Sequence, residues 1–319
     1  MSTFSVIIPV YNAEAFLERA VRSVQTQTQP PLEILMVDDC STDNTREVVK
    51  RLAAEDPRIR LLQTPQNGGP SAARNLGIAN ATGEWIAILD ADDAFAPTRL
   101  EKLGAIASRR GDIDMLADDL LYFDADANCV SGRANATAGL SGHVVTLDDF
   151  LRHNQVDGSG MDWGLLKPCF RRAFLEKTGL RYRADMRHGE DFALVVSLLL
   201  AGAMFVLLDE ALYLYTQRSG AVSGRLSALS RTSIAYGALA RSALELAQQP
   251  KIASQPELVR LLQHRAEGLM RLDDAHFFSV AVRKGDVIGL GRRALKRPSF
   301  LPQVASQVSR AVKRRLARH

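Results

Sequence analysis

Apolar runs alternate with stretches of apolar residues at helical spacing through the first third of the chain. Phe4–Val10, Glu33–Asp38, Ile59–Gln63 and Glu84–Asp90 each centre on Val, Ile or Leu and end in polar or Pro/Gly punctuation, which predicts strands. Between them Glu14–Thr26, Asp43–Ala54 and Pro70–Asn80 have a helical pattern, with Ser41 or Thr42 placed to cap the second and Pro70 suited to a first turn. Strand and helix repeated this way imply an α/β fold with a mainly parallel sheet, whose ligands sit at the carboxyl ends of the strands.

After Asp90 the alternation fades. Ile113–Phe123 reads as a further strand, and the Gly/Ala/Asn/Ser-rich stretch that follows, to Gly142, as a surface excursion. Order returns from Trp163, through Leu165–Phe174, a helix at Glu190-Asp191 and a strand ending at Leu208. The uncharged segment Phe192–Leu208 has 17 residues, the lower edge of a membrane span, but Gly202 divides it into a buried helix and a buried strand, so no transmembrane helix is expected. From Leu226 to Val282 the pattern is helical and rich in Ala and Leu.

A length of 319 residues with 46% hydrophobic content fits about two domains and a sizeable core. Cys40, Cys129 and Cys169 lie far apart without a CxxC pair, which argues against a zinc ribbon or a disulfide framework and for a reducing compartment. The N-terminus has no basic region before an apolar stretch that Pro9 breaks, so the expected location is cytoplasmic. The net charge of +4 hides an asymmetry: nine basic residues and no acidic one follow from Arg292 onward, leaving 31 basic against 36 acidic residues in the body. A net acidic body argues against nucleic acid as the partner of the main site. Leu301, Val304, Val308, Val312 and Leu316 fall near one helical face, so the tail reads either as a peripheral contact with anionic membrane or as a solvated end.

Asp90-Ala91-Asp92-Asp93 directly follows the apolar Trp85–Leu89. Three carboxylates at a strand tip repel unless a cation joins them, which fits Mg²⁺ or Mn²⁺ carried with a phosphate; the other reading is a helix N-cap cluster before Pro97. The neighbouring strand ends carry Pro9-Val10-Tyr11-Asn12, Val37-Asp38-Asp39-Cys40-Ser41-Thr42-Asp43 and Asn67-Gly68-Gly69 through Arg74-Asn75. An aromatic ring, paired carboxylates and an arginine supply stacking, hydrogen-bond acceptors and a cation for a nucleotide. No GxGxxG follows the first strand and no GxxxxGK[ST] occurs, so dinucleotide dehydrogenases and P-loop NTPases are disfavoured and a metal would hold the diphosphate.

These motifs, with Gly189-Glu190-Asp191, resemble in order the family-2 inverting glycosyltransferases with the GT-A fold, over Val6 to about Ser223. The resemblance implies a GT-A-like mixed, mainly parallel sheet flanked by helices over residues 1–225, with a nucleotide-binding half to 112 and an acceptor half after it. The helical pattern and the basic run beyond it add a C-terminal helical subdomain, 226–291, and a basic tail, 292–319. The resemblance also implies that Pro9, Tyr11 and Asp39 hold the nucleoside, with Arg74 beside the nucleotide. Asp92 would ligate Mn²⁺ or Mg²⁺ on the diphosphate, and Asp90 would hold the ribose or the metal's surroundings. Asp191 would be the catalytic base, with Trp163, Lys167 and Glu190 on the acceptor side and Arg218 reaching the diphosphate from a loop. The implied partners are a nucleotide-sugar donor, UDP-linked in the favoured case, and a saccharide or lipid-linked acceptor of cell-surface polysaccharide synthesis at the inner face of a bacterial membrane. A catalytically inactive nucleotide-binding scaffold is the alternative, which carboxylates at both Asp92 and Asp191 oppose. A sugar-phosphate nucleotidyltransferase would show a Gly-rich loop after the first strand, and Pro9-Val10-Tyr11-Asn12 is not one.

Overall fold

A computed structural model of the chain describes residues 2–156, 162–217, 234–302 and 305. The described chain falls into two compact units, one of Met1–Asn154 with Gly160–Ser233 and one of Gln155–Ser159 with Ile234–His319. The first begins with β1 (Phe4–Val10), α1 (Leu17–Gln25), β2 (Glu33–Asp38), α2 (Thr45–Glu55), β3 (Ile59–Gln63), α3 (Gly69–Asn80) and β4 (Trp85–Ile88). It continues with β5 (Ala94–Phe95), α4 (Arg99–Arg109), β6 (Met115–Asp124), β7 (Cys129–Arg133), β8 (Val144–Val145), α5 (Leu147–Arg152), β9 (Cys169–Arg171), α6 (Arg172–Thr178), α7 (Glu190–Leu200) and β10 (Phe205–Gln217). The second holds α8 (Tyr236–Ala247), α9 (Pro250–Ala253), α10 (Pro256–Lys284) and α11 (Val287–Lys296).

One sheet runs in the order β3-β2-β1-β4-β9-β6-β10-β5, with β7 added to β6 and β8 to β10. β3, β2, β1 and β4 are mutually parallel, β9 is antiparallel to both β4 and β6, and β10 is parallel to β6. The inner strands β1, β2 and β4 are buried almost throughout, because helices cover both faces of a wound sheet, whereas the edge strand β3 exposes Arg60 and Gln63. Winding proceeds from β1 to β2 and β3 on one side, then returns to β4 on the other. That reversal opens a crevice at the strand ends, where Tyr11, Asp39 and Asp90 stand.

Several expectations from the pattern shift in detail. β4 stops at Ile88, although the Leu89 N–H still donates to the Ile7 carbonyl at 3.0 Å. Neither Ser41 nor Thr42 caps α2: the Thr45 N–H donates to Asp43, while the Ser41 hydroxyl accepts from the Asn12 N–H. The predicted surface excursion contains β7, which folds back antiparallel onto β6 because turn residues at 125–128 let the chain reverse. The uncharged segment is α7, a turn at Gly202 and the start of β10, with Leu194, Val196, Leu198, Phe205 and Leu207 in the core. Among the described residues no helix is long and apolar enough to cross a membrane. The basic tail does not start as a free end: Arg293 of α11 pairs with Asp273 and Asp274, and Arg297 with Asp274. Tail residues 303–304 and 306–319, and Arg218 with its loop, lie outside the described residues.

Candidate active site

The crevice begins with a carboxylate held by backbone. Asp39 follows β2, is 3% exposed, and accepts hydrogen bonds from the Thr64 hydroxyl at 2.8 Å and the N–H groups of Gly68 at 2.9 Å and Gly69 at 2.7 Å. Gly69 opens α3 with φ 78°, a backbone state that a side chain disfavours, so the Asn67-Gly68-Gly69 turn can aim both amides at one carboxylate. Its neighbour Asp38 points inward to the Ser41 N–H and to Arg46 at 2.6 Å, which is a turn-building role. Tyr11 is half-open at 44% exposure beside the partly buried Pro9, leaving a ring face for stacking. Asn12 and Cys40, on the turns after β1 and β2, both take positive φ, and such strain in non-glycine residues tends to gather at functional sites.

Next to this pocket, two buried cations share three carboxylates. Arg74 of α3 donates to Glu190 at 2.6 Å and to Asp90 at 2.8 Å, and its guanidinium lies 3.6 Å from Asp191. Lys167 donates to Asp191 at 2.8 Å and lies 2.9 Å from Asp90. Glu190 and Asp191 occupy the first turn of α7, where the helix dipole favours negative charge. Burial by itself would lift the Asp90 carboxyl, but Lys167 and then Arg74 outweigh it and hold the group well below the ordinary carboxylate range. Burial likewise opposes the charges on Arg74 and Lys167, yet Asp191 and Asp90 keep both firmly protonated. The Tyr182 ring lies 5.2 Å from the Arg74 guanidinium, and Asn75 clamps the Tyr182 backbone through both its N–H and its carbonyl.

The third aspartate of the Asp90–Asp93 segment turns away. Asp93 is buried and accepts from the Tyr213 hydroxyl and the Thr216 N–H, both at 2.8 Å, tying the segment to β10. Burial, with Asp92 and Asp90 nearby, raises its carboxyl well above the ordinary value. The expected mutual repulsion is therefore relieved inside the protein: Asp90 by two cations, Asp93 by burial and two donors.

Comparison with known proteins decides the family. A sequence model described as Glycosyl transferase family 2 matches residues 5–117. The succinoglycan biosynthesis protein ExoO of Rhizobium meliloti (strain 1021) is 33% identical over 98% of this chain and 86% of its own length. The chain belongs to glycosyltransferase family 2. ExoU, another succinoglycan biosynthesis protein of that organism, is 30% identical over 94% of the chain and 84% of its length. In fold the chain is similar to S. aureus TarS 1–349 in complex with UDP-GlcNAc, with a TM-score of 0.64 and 21% identity over 82% of this chain and 72% of that one.

In this glycosyltransferase the donor set fits a divalent ion of one particular kind. Asp90 is already neutralised by Arg74 and Lys167, Asp93 is turned inward, and no group of three acidic, His or Cys side chains that could cage a metal exists among the described residues. Asp92 is partly exposed, and its backbone carbonyl accepts from Arg19 and from the Thr216 hydroxyl. One carboxylate suits Mg²⁺ or Mn²⁺ that brings its remaining oxygen ligands with a diphosphate, and would not suit a resident ion.

Trp163, expected on the acceptor side, is a packing residue. It is 2% exposed, stacks on His153 at 3.9 Å and donates its indole N–H to the Ala136 carbonyl, so no ring face is offered to a ligand. Lys167 and Glu190 sit in the ionic cluster itself, 7% exposed each, and touch its carboxylates and Arg74. The pattern gave no signal for Arg99, which is 0% exposed, pairs in two-pronged fashion with Asp118 at 2.7–3.1 Å and holds the Lys167 carbonyl at 2.8 Å. Burial works against its charge, but Asp118 more than offsets that and raises it.

Proposed function

We propose that the chain transfers a sugar from a nucleoside-diphosphate sugar, a UDP-sugar in the favoured case, to a hydroxyl of a saccharide or lipid-linked acceptor, with inversion at the anomeric carbon. The observation that carries this reading is the single ammonium of Lys167 shared between Asp90 and Asp191, which holds a carboxylate of the α7 turn beside the carboxylate that ends the donor-side sheet. Tyr11 and Asp39 receive the base and its imide or amine, and Asp90 lies at the ribose. Asp191, oriented by Lys167 and Arg74, accepts the proton of the acceptor hydroxyl as its oxygen attacks from the face opposite the leaving diphosphate. Asp92 would hold Mn²⁺ or Mg²⁺, which when bound neutralises charge gathering on the departing diphosphate. Similarity to two succinoglycan biosynthesis proteins, and to the fold of a protein solved in complex with UDP-GlcNAc, supports a nucleotide-sugar donor and a role in cell-surface polysaccharide assembly. A lipid-linked acceptor would put that work at the cytoplasmic face of a bacterial membrane.

A panel of nucleotide sugars, each assayed for binding and hydrolysis with Mn²⁺, with Mg²⁺ and with chelator, tests the donor and the metal together. One nucleotide sugar is expected to be turned over only with metal, and Asp92→Ala to respond to neither ion. Turnover undiminished in excess chelator would remove the metal, and absence of any nucleotide-sugar binding would remove the donor class.

A further inference from the structure

The second unit carries a surface that transfer chemistry does not use. α11 has ten residues and none of them is buried. Val287, Ile288 and Leu295 are 75%, 72% and 86% exposed. At helical spacing these three share one face with Gly291, while Arg292 and Lys296 border it and Arg293 lies roughly opposite. Arg293 is the anchor, ion-paired with Asp273 and Asp274 of α10, so the helix is fastened by its polar side and shows its apolar side outward. Val282 and Leu301, before and after the helix, are also more than half exposed.

Charge selects the occupant of this face. Arg283 and Lys284 in the last turn of α10, with Arg292 and Lys296, are exposed and basic. The one acidic residue from 275 to 302 is Asp286, and its carboxylate caps α11 by accepting from the Gly289 N–H at 2.8 Å. A second copy of the chain docking face to face would set these four cations against their own images, which disfavours a symmetric dimer here. A partner that takes aliphatic side chains and answers one-signed basic charge is an anionic bilayer. We propose that α11 lies in the plane of an anionic membrane surface, with Val287, Ile288 and Leu295 at the acyl boundary and Arg283, Lys284, Arg292 and Lys296 at the phosphates. This assignment rests on the second unit alone and is independent of the donor and base assignments.

The test is co-sedimentation of the full-length chain with phosphatidylcholine vesicles, with and without phosphatidylglycerol. The chain should sediment with the anionic vesicles only. Ile288→Glu with Leu295→Glu should lower partitioning at least about tenfold, because both apolar area and charge complementarity are lost. Arg292→Ala with Lys296→Ala should lower it less, and added salt should then matter less than for the parent. Far-UV circular dichroism and donor hydrolysis should match the parent for both variants. The proposal is overturned if the parent ignores anionic vesicles or the Glu variant sediments with them as the parent does. It is equally overturned if that variant turns an oligomer into a monomer, which would make the face a contact between copies.

Discussion

Arg99 with Asp118, and Arg74 with Lys167 and their three carboxylates, are ionic clusters of one compact unit, joined through a single residue: Arg99 holds the Lys167 carbonyl while Asp90 and Asp191 hold its ammonium. The first cluster is one cation and one anion, 0% and 1% exposed, with matched charge. The second sets two cations against Asp90, Glu190 and Asp191, and Asp90 and Asp191 remain partly open to the crevice at 25% and 16%. A sealed, balanced pair gives a rigid support. An unbalanced cluster with a wet side retains a surplus of negative charge, which suits proton abstraction and the ordering of a sugar's hydroxyls.

Deleting the central cation of the open cluster should have the largest effect. Arg74→Ala leaves Asp90 and Glu190 short of their partner, so chemical denaturation should show a loss of about 3–5 kcal/mol and transfer should fall below detection. Arg99→Ala should cost a similar 3–5 kcal/mol, but here a shape-matched apolar exchange can replace the pair. Arg99→Met combined with Asp118→Leu should recover stability to within roughly 1–2 kcal/mol of the parent in the same denaturation experiment. If the double variant were no more stable than Arg99→Ala alone, the supporting pair would be doing something other than filling a balanced site.

Lys167→Met sharpens the contrast through pH. The Asp90 carboxyl is lowered in the folded chain, so its contribution is present above the unfolded value of about 3.9 and is lost as pH falls through the lowered one. Removing Lys167 lifts that folded value, so the acid limb of both unfolding and turnover should move to higher pH. Turnover at neutral pH should drop roughly 10- to 100-fold, whereas an unchanged profile would deny the lysine its bridging role. Trp163→Phe should do least. It gives up the indole hydrogen bond to Ala136, about 1 kcal/mol, and an acceptor titration should find KM unmoved.

The first four strands and three helices were legible because a buried parallel sheet writes itself as apolar runs; Asp39 and Asp90 were legible because they stand within two residues of a strand's end, and Asp191 through the resemblance of Gly189-Glu190-Asp191 to the family's motif. Those cues are local. Lys167 precedes β9, 77 residues from Asp90 by number, and only the antiparallel seating of β9 on β4 and β6 brings it there. Arg99 reads like any basic residue at the start of an amphipathic helix, no different in pattern from Arg109 at the end of the same helix, yet one is sealed beneath the site and the other faces water. The inward turn of Asp93 was equally hidden, since it depends on Tyr213 and Thr216 more than a hundred residues away.

The central claim is that Asp191 accepts the proton of the acceptor while other groups hold the donor. Asp191→Asn keeps the shape and removes the base, so it should be measured for single-turnover transfer and for nucleotide-sugar affinity in the same preparation. The account predicts that transfer falls by about 10²–10⁴-fold while the donor Kd stays within roughly threefold of the parent. Transfer near the parent rate, or donor affinity lost in step with transfer, would contradict it.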